Sequence, residues 1–323
     1  MGEALRLSVL IVSWETRDLT LECVAAARAA LDEAGLGPAD AEVVVVDNGS
    51  RDGTVEALAR SCPDVVVVAL EANRGYAAGN NAGLAHCRGR SVLLLNSDAV
   101  LAAAPLVRVL SVLEGEATIG VAGFELLHED GRPQNAIHAF PGLATELLPL
   151  FALEVLLPAR FPSKRYRRSK PVDVEAVQGA ALLASRAAFE RAGPLPEEYF
   201  FFLEETEWCW RVREAGLRVV HVPGAALLHR AGTSSKRPHP GATAIEYHRS
   251  LYRFLRARRG SAVCALAVLV RCLRASVSVA THAALAPVSA RHRARLASRV
   301  AVLVWHLRGR PAHAGLAALA LDA

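Results

Sequence analysis

Four acidic positions and one imidazole stand where their types and spacing could do chemistry: Asp47, Asp98, the adjacent Glu204 and Glu205, and His229. Asp98 follows Asn96-Ser97 directly after the run Val92-Leu93-Leu94-Leu95. A run apolar on both faces predicts a strand covered on both sides in a parallel sheet, and ligands collect at the carboxyl ends of such strands. A carboxylate there can hold a divalent cation when phosphates complete the coordination. It can equally cap a helix beginning near Ala102, and the residues alone leave both readings open.

Asp47 closes the run Glu42-Val43-Val44-Val45-Val46 as Asp98 closes its own, and Ser13 ends a first run, Leu7 to Val12. Three strand ends thus present polar groups toward one edge, as a nucleotide pocket requires. The carboxylates Glu204 and Glu205 follow the aromatic segment Tyr199-Phe200-Phe201-Phe202-Leu203 and open a predicted helix. The helix dipole favours their ionised form, and a general base must be ionised to accept a proton. Glutamates at helix starts are also common without any catalytic duty. His229 comes shortly after a predicted strand, Leu217 to Val222, and the turn Pro223-Gly224; it is a candidate metal ligand, although a lone histidine is usually structural. Gly75, Gly79 and Gly83 are spaced by four, so neither the dinucleotide fingerprint nor the phosphate-binding loop is present. Tight helix-on-sheet packing explains the glycines, but Asn73, Arg74, Asn80 and Asn81 around them offer donors and acceptors suited to a nucleotide.

The elements that must position these groups alternate. A helix over 17–34 follows the first strand; after Asp47 come the turn Asn48 to Gly53, a helix capped by Thr54, a strand from Val65 to Leu70 and a helix from Tyr76 to about Cys87. This alternation predicts a Rossmann-like half with parallel strands and right-handed crossovers. Between 120 and 180 the pattern is irregular. Phe140 to Phe161 is apolar but broken by Pro141, Pro149 and Pro158, which rules against a membrane span. The cations Arg160, Lys164, Arg165, Arg167, Arg168 and Lys170 overlap its end and continue past it, marking either a solvated loop or one that docks a surface or acceptor.

The 323 residues are 52% hydrophobic, enough for one large α/β domain with an appendage and against a disordered chain. Six cysteines form no C-x-x-C pair and no signal peptide precedes the first strand, so free thiols and a reducing cytosol are expected. Residues 246–323 carry thirteen Arg against Glu246 and Asp322, a surplus of +11; the chain's net +5 therefore leaves 1–245 at −6. The basic tail predicts contact with an anionic surface. Its apolar stretches, Ser261 to Val270 and Ala275 to Ala286, are interrupted by Arg271 and Arg274 on one helical face, so a simple transmembrane helix is not expected. Helices of this type, including Val300 to Leu307 with Trp305, either lie in a membrane interface or form an ordinary helical subdomain. The tail lacks a recognition motif for nucleic acid.

Taken in order, Val9 to Trp14, Val44 to Ser50, Asn73 to Gly83, Leu94 to Asp98, Gly179-Ala180, Phe201 to Arg211 and His229 to Ser234 resemble family 2 glycosyltransferases, nearest the rhamnosyltransferase-like bacterial members. The resemblance runs over residues 7 to 235. It implies an α/β GT-A fold, a Rossmann-like, mostly parallel sheet flanked by helices, with a helical C-terminal appendage. The expected division is a catalytic domain over 1–245, its nucleotide-sugar half ending near 118 and its acceptor half covering 119–245, then a basic, membrane-associating region over 246–323.

The implied activity is inverting single-displacement transfer of a hexose or deoxyhexose, rhamnose among them, from a nucleoside-diphosphate sugar to a saccharide or polyprenyl-linked acceptor. Its setting would be the inner face of the cell membrane, in cell wall or polysaccharide synthesis. Asp98 would bind Mg²⁺ or Mn²⁺ with His229. Asn96 replaces the first acid of the family's D-x-D element, so weak metal binding is expected until the donor arrives. Glu205 falls at the base position, with Glu204 as rival. Ser13, Glu15, Asp47, Arg74, Asn80, Asn81, Asn96 and Ser97 would border the nucleotide, and Gly179, Ala180, Glu204 and Trp208 the acceptor. A sugar-phosphate nucleotidyltransferase would need a Gly- and Arg-rich loop where Ser13-Trp14-Glu15-Thr16 stands. A non-catalytic sugar- or membrane-binding module is opposed by the presence of Asp98, Glu205 and His229 together.

Overall fold

A computed structural model describes residues 4–163, 169–230 and 239–322. The chain divides into two compact units, Met1–Phe140, Leu157–Glu198 and Glu204–Thr233 in the first, and Pro141–Leu156, Tyr199–Leu203 and Ser234–Ala323 in the second. The break after 233 differs from the expected one at 245, which would fall inside a helix. Four of the six cations predicted to continue the basic loop, at 164, 165, 167 and 168, lie outside the described residues, as does the part of the His229 block after 230.

The first unit begins with β1 (Leu7–Ser13), α1 (Arg17–Glu33), β2 (Ala41–Asp47), α2 (Thr54–Ser61), β3 (Val66–Ala69), α3 (Tyr76–Leu84), β4 (Ser91–Asn96), β5 (Ala99–Val100), α4 (Ala103–Gly115), β6 (Ile119–Leu127) and β7 (Ile137–His138). After the intervening α5 (Leu143–Leu147) and α6 (Leu150–Leu156) of the second unit, it continues with β8 (Val172–Asp173), β9 (Ala176–Val177), β10 (Ala181–Ser185), α7 (Arg186–Ala192), α8 (Glu204–Glu214) and β11 (Arg218–His229).

The main sheet runs β3-β2-β1-β4-β10-β6-β11-β5, with β8 on β11. β1, β2, β3 and β4 are mutually parallel, as the alternation predicts, whereas β10 enters antiparallel between β4 and β6. The valine and leucine runs of β1, β2 and β4 are buried almost throughout because helices cover both faces. The glycine row of α3 belongs to this packing. A Cβ on Gly83 would lie 2.3 Å from Leu10 Cδ1 and 2.6 Å from Val46 Cγ2, and one on Gly79 would lie 2.8 Å from Val12 Cγ1. Only glycine lets the helix sit this close to the sheet.

β11 is longer than the sequence predicts. Pro223-Gly224 does not end it; the chain passes through a register irregularity between His221 and Ala226 and pairs with β6 again. This bulge, with Gly224 at φ 75°, lets twelve residues run on to His229.

The second unit contains α5, α6, α9 (Pro240–Arg259), α10 (Ser261–Leu285), α11 (Ala290–Leu307) and α12 (Leu316–Asp322). The two apolar stretches on either side of Arg271 and Arg274 form the single 25-residue helix α10. It is long and apolar enough to cross a bilayer by length and composition, and little of it is buried. The arginines do not divide it because Arg271 turns to α5, where its Nε and Nη2 donate to Glu146 at 2.7 and 3.0 Å. Glu146 is buried, and stripping a buried charge of its partner typically costs about 3–5 kcal/mol, so this pair fastens 141–156 to the C-terminal helices. All six cysteines are free thiols.

Candidate active site

Asp98 caps nothing. The next helix, α4, starts at Ala103 with Ala102 as its N-cap and no side-chain capping bond. The chain instead folds back after β4 as β5, which pairs antiparallel with the end of β11, His229 opposite Ala99. The Arg230 N–H donates to the Asp98 carbonyl at 3.0 Å. This pairing brings His229 Nε2 to 3.2 Å from Asp98 Oδ1, both side chains about nine-tenths buried. The Asn96 amide nitrogen lies 3.4 Å from the same ring nitrogen. On the other edge of the ring, Nδ1 is 3.0 Å from Gln134 Oε1, and the Gln134 amide donates to the carbonyls of Leu127 and His229. Gln134 Oε1 can only accept, so it holds the proton on Nδ1 and leaves the Nε2 lone pair directed at Asp98.

One carboxylate oxygen and one imidazole lone pair at this separation fit a divalent cation whose remaining sites are filled by phosphate oxygens and water. Among the described residues no group of three or more His, Cys, Asp or Glu could hold a metal by itself. The protein offers an incomplete set.

At the end of β2, Asp47 is 2% exposed. Its Oδ2 accepts the Ser50 N–H at 2.9 Å, while Oδ1 is buried without a hydrogen-bond partner. Buried acceptors are seldom left unpaired, so Oδ1 awaits a donor. Asn48, which sequence reasoning passed over, ties the next loop to this strand end: its Nδ2 donates to Asn73 Oδ1 and the Gly75 carbonyl, and its Oδ1 accepts the Arg74 N–H.

Other predicted nucleotide contacts are placed differently. Ser13 is fully buried, its hydroxyl 2.7 Å from Thr20 Oγ1 and 3.2 Å from Thr16 Oγ1; Thr16 in turn lies 3.1 Å from the Ser97 hydroxyl. This hydroxyl cluster links the ends of β1 and β4 and withdraws the Ser13 side chain from any ligand. Asn81 spends both ends of its amide on the 195–197 loop, bonding Leu195 N, Leu195 O and Glu197, and so braces α3. Asn80 Nδ2 donates to the Tyr76 carbonyl, leaving its buried Oδ1 without a partner. Arg74 pairs with Glu197 at 3.3 Å on the surface. Glu15, in the left-handed region at φ 52°, is exposed and accepts the Arg51 N–H.

Glu204 and Glu205 open α8 as predicted, but they are buried, 4% and 7% exposed. Desolvation therefore outweighs the helix terminus, and both carboxyls titrate above the ordinary glutamate range. The pair is unequal. Glu204, with Oε2 unpartnered and the Glu205 charge beside it, is pushed well up. Glu205 is raised by burial but held back by the His138 imidazole and by the Thr206 hydroxyl, which donates to its Oε1 at 3.2 Å.

The two residues before them, Phe202 and Leu203, both hold positive φ, 71° and 62°. Such backbone strain in non-glycine residues gathers at functional sites.

Around this pair stand groups that the sequence did not single out. His138 sits on β7, which pairs with β9 in a two-stranded ribbon, and its Nε2 meets Gln178 Oε1. The Tyr76 hydroxyl donates to the Gly179 carbonyl at 2.7 Å. Burial, then the charges of Glu204, Glu205 and Asp98, push the Tyr76 phenol far up, so it remains a donor. Tyr76 thus lies within electrostatic reach of all three carboxylates. A Cβ on Gly179 would touch Glu205 Cβ and Cγ at 3.4 Å, and the neighbouring Ala180 is buried with its carbonyl accepting the Asn96 N–H. Trp208, predicted to border an acceptor, is instead in the core: it is fully buried, stacked on Phe189 at 4.7 Å, with Nε1 donating to the Gly193 carbonyl.

A family model described as glycosyl transferase family 2 matches residues 8–193. The chain is 27% identical over 229 residues to N-acetylglucosaminyl-diphospho-decaprenol L-rhamnosyltransferase of Mycobacterium tuberculosis, covering 66% of this chain and 74% of the relative. It is 30% identical over 201 residues to the low-salt glycan biosynthesis hexosyltransferase Agl10 of Haloferax volcanii, covering 61% of each. The mannosyltransferase PcManGT of Pyrobaculum calidifontis, solved with GDP-Man and Mn²⁺, superposes over 95% of this chain and 88% of its own with a TM-score of 0.53 at 18% identity. S. aureus TarS 1-349 with UDP gives 0.51 at 18% identity, over 78% of this chain and 66% of its own. These likenesses establish the GT-A fold, and with residues 8–193 matched, the chain belongs to glycosyl transferase family 2.

Proposed function

We propose that this glycosyltransferase moves a hexose or deoxyhexose, rhamnose being the leading instance, from a nucleoside-diphosphate sugar to a hydroxyl of a lipid-linked saccharide, with inversion. The observation that carries the reading is one unit holding the Asp98–His229 pair at 3.2 Å together with an unequal pair of buried glutamates. Two carboxyls whose surroundings separate their titrations can divide acid and base duties. Glu205, the lower of the two, loses its proton first and is the base that takes the proton of the acceptor hydroxyl. Glu204 keeps its proton and spares Glu205 a second charge. The Tyr76 hydroxyl fixes the Gly179 carbonyl beside this base. Asp47 Oδ1 receives a donor group of the nucleoside. Asp98 and His229 would hold Mg²⁺ or Mn²⁺, which supplies neutralisation of the departing diphosphate. PcManGT, solved with GDP-Man and Mn²⁺, and the decaprenol-linked substrate in the name of the mycobacterial relative support the donor, metal and acceptor classes.

The second unit supports a membrane setting. Leu266, Leu269, Leu273 and Val277 lie along one face of α10, opposite the buried Cys264 and Ala267, and all four are exposed. Leu147, Leu148, Phe151 and Leu156, on or beside α5 and α6, are exposed as well. A solvated helix seldom carries such a stripe, whereas an interfacial helix requires one. With the arginine surplus, the reading is peripheral docking on anionic lipid.

The test is incubation with a panel of nucleotide sugars and a polyprenyl-linked acceptor, with Mn²⁺ or with EDTA. Release of nucleoside diphosphate and the anomeric configuration of the product are followed by NMR. Retained configuration, or no product with any donor, defeats the reading. Pelleting with phosphatidylglycerol vesicles, weakened by Leu269→Asp with Phe151→Asp, tests the docking; equal pelleting of both forms rejects it.

A further inference from the structure

A cavity of about 570 Å³ lies within the second unit, between α9, the start of α10 and the end of α11, and its charged lining is entirely cationic. Arg249, Arg253 and Arg256 stand on one face of α9 at spacings of four and three, and Arg310 faces them from beyond α11. Arg249 is neutralised, its Nη1 donating to Glu246 at 2.6 Å and its Nη2 to the carbonyls of Pro311, Ala312 and Ala314. Arg253, Arg256 and Arg310 have no carboxylate in a salt bridge among the described residues, which leaves three guanidinium groups around one space.

The cavity is built, not incidental. α11 ends in two successive left-handed residues, Gly309 at φ 76° and Arg310 at φ 63°, and the Arg310 N–H donates to the Trp305 carbonyl at 2.8 Å. A non-glycine residue rarely holds that conformation, and here it lays the Arg310 guanidinium over the Tyr252 ring at 5.7 Å. Tyr252 lies parallel to Trp305, their planes 4° apart, and the Trp305 indole is fixed by the Pro311 carbonyl at 3.1 Å. Arg253 is likewise held over the Tyr199 ring, 5.7 Å from its centroid. Aromatic faces thus orient two of the three cations without cancelling their charge.

Guanidinium groups gathered in this way repel one another, and an anion with several oxygens removes the repulsion while accepting forked hydrogen bonds. The space exceeds what a bare ion needs, and Tyr252 and Trp305 complete its lining. We infer that this cavity binds a phosphorylated ligand, a phosphomonoester or diphosphate held by Arg253, Arg256 and Arg310. All its lining residues belong to the second unit, and the inference does not depend on the transfer reading. The same chemistry is offered by a lipid-borne phosphate and by a water-soluble one.

Calorimetry on the full chain in EDTA, with farnesyl diphosphate and with inorganic pyrophosphate, tests the inference while a metal-dependent donor site is silent. Saturable binding is expected, weakened at least tenfold by Arg253→Gln with Arg256→Gln, less by Arg256→Lys, and unchanged by Arg295→Gln or Asp98→Asn. Arg253 and Arg256 are exposed, and an unaltered melting temperature of the double variant shows that folding is intact. Farnesyl diphosphate binding at least tenfold tighter than pyrophosphate assigns a lipid-borne source; comparable affinities assign a soluble one. Absence of saturable binding for both probes, or equal weakening by Arg295→Gln, overturns the site.

Discussion

The first unit buries Asp98 and Glu204 beside opposite kinds of neighbour. Asp98 faces an imidazole at 3.2 Å whose far nitrogen is held by Gln134, so a carboxylate oxygen and a ring lone pair stand side by side. Glu204 is uncompensated, facing another carboxylate, with one oxygen lacking any partner. A carboxylate beside an imidazole lone pair makes a pair of donors fit for a cation, whereas one beside another carboxylate is pushed toward its protonated form. The difference teaches that burial alone does not set the chemistry of an acid; its nearest neighbour does.

The comparison is broken most sharply by removing the groups assigned to the two jobs. Glu205→Gln should lower transfer by about 10² to 10⁴-fold with donor affinity nearly unchanged, measured as product rate beside nucleotide titration. Full activity would strip Glu205 of its role. On the other side, Gln134→Leu should weaken Mn²⁺ binding in the presence of nucleoside diphosphate by roughly 10 to 100-fold, since loss of the partner that orients a metal-bound histidine typically costs that much. Electron paramagnetic resonance of bound Mn²⁺ reads this directly, and an unchanged affinity would mean that His229 is not a ligand.

Proton linkage sharpens the contrast. Because Glu204 titrates above the ordinary glutamate range when folded, the folded state holds the extra proton, and stability falls as pH rises from that range through the raised value. Glu204→Gln should reduce this decline in melting temperature with rising pH, leaving the smaller part that Glu205 contributes. The acidic limb of the transfer rate should stay nearly in place in that variant and move upward in His138→Gln, because His138 is what restrains Glu205. A limb that follows Glu204 instead would exchange the two roles. The smallest effect is expected from Gly179→Ala, whose Cβ would meet Glu205 at 3.4 Å: displacement by a few tenths of an ångström should cost less than about tenfold in rate, with melting unaltered.

Much of the first unit was legible because its signals are local. The valine and leucine runs of β1, β2 and β4 mark strands covered on both faces, and Asp47, Asp98 and Glu205 are marked by standing at element ends. The rest depends on contacts between distant residues. Gln134, His138 and Gln178 sit on or beside two-residue strands too short to leave any periodicity, and an amide that orients a histidine has no signature of its own. Trp208 and Asn81 read as ligand contacts because their types are right; only the fold shows their polar atoms already committed to partners within the protein. The attachment of 141–156 to the C-terminal helices rests on Arg271 and Glu146, 125 residues apart. The helix-dipole argument for Glu204 and Glu205 failed because exposure was assumed, and the helix start is buried.

The pairing of β5 with the end of β11 also has a consequence in time. Asn96 and His229 are separated by 133 residues, so during synthesis a ribosome has long since released one half of the proposed cation site before it makes the other. A nascent chain carries Asp98 without its imidazole until the last strand emerges and docks, and the enzyme reaches catalytic competence only as the main sheet closes.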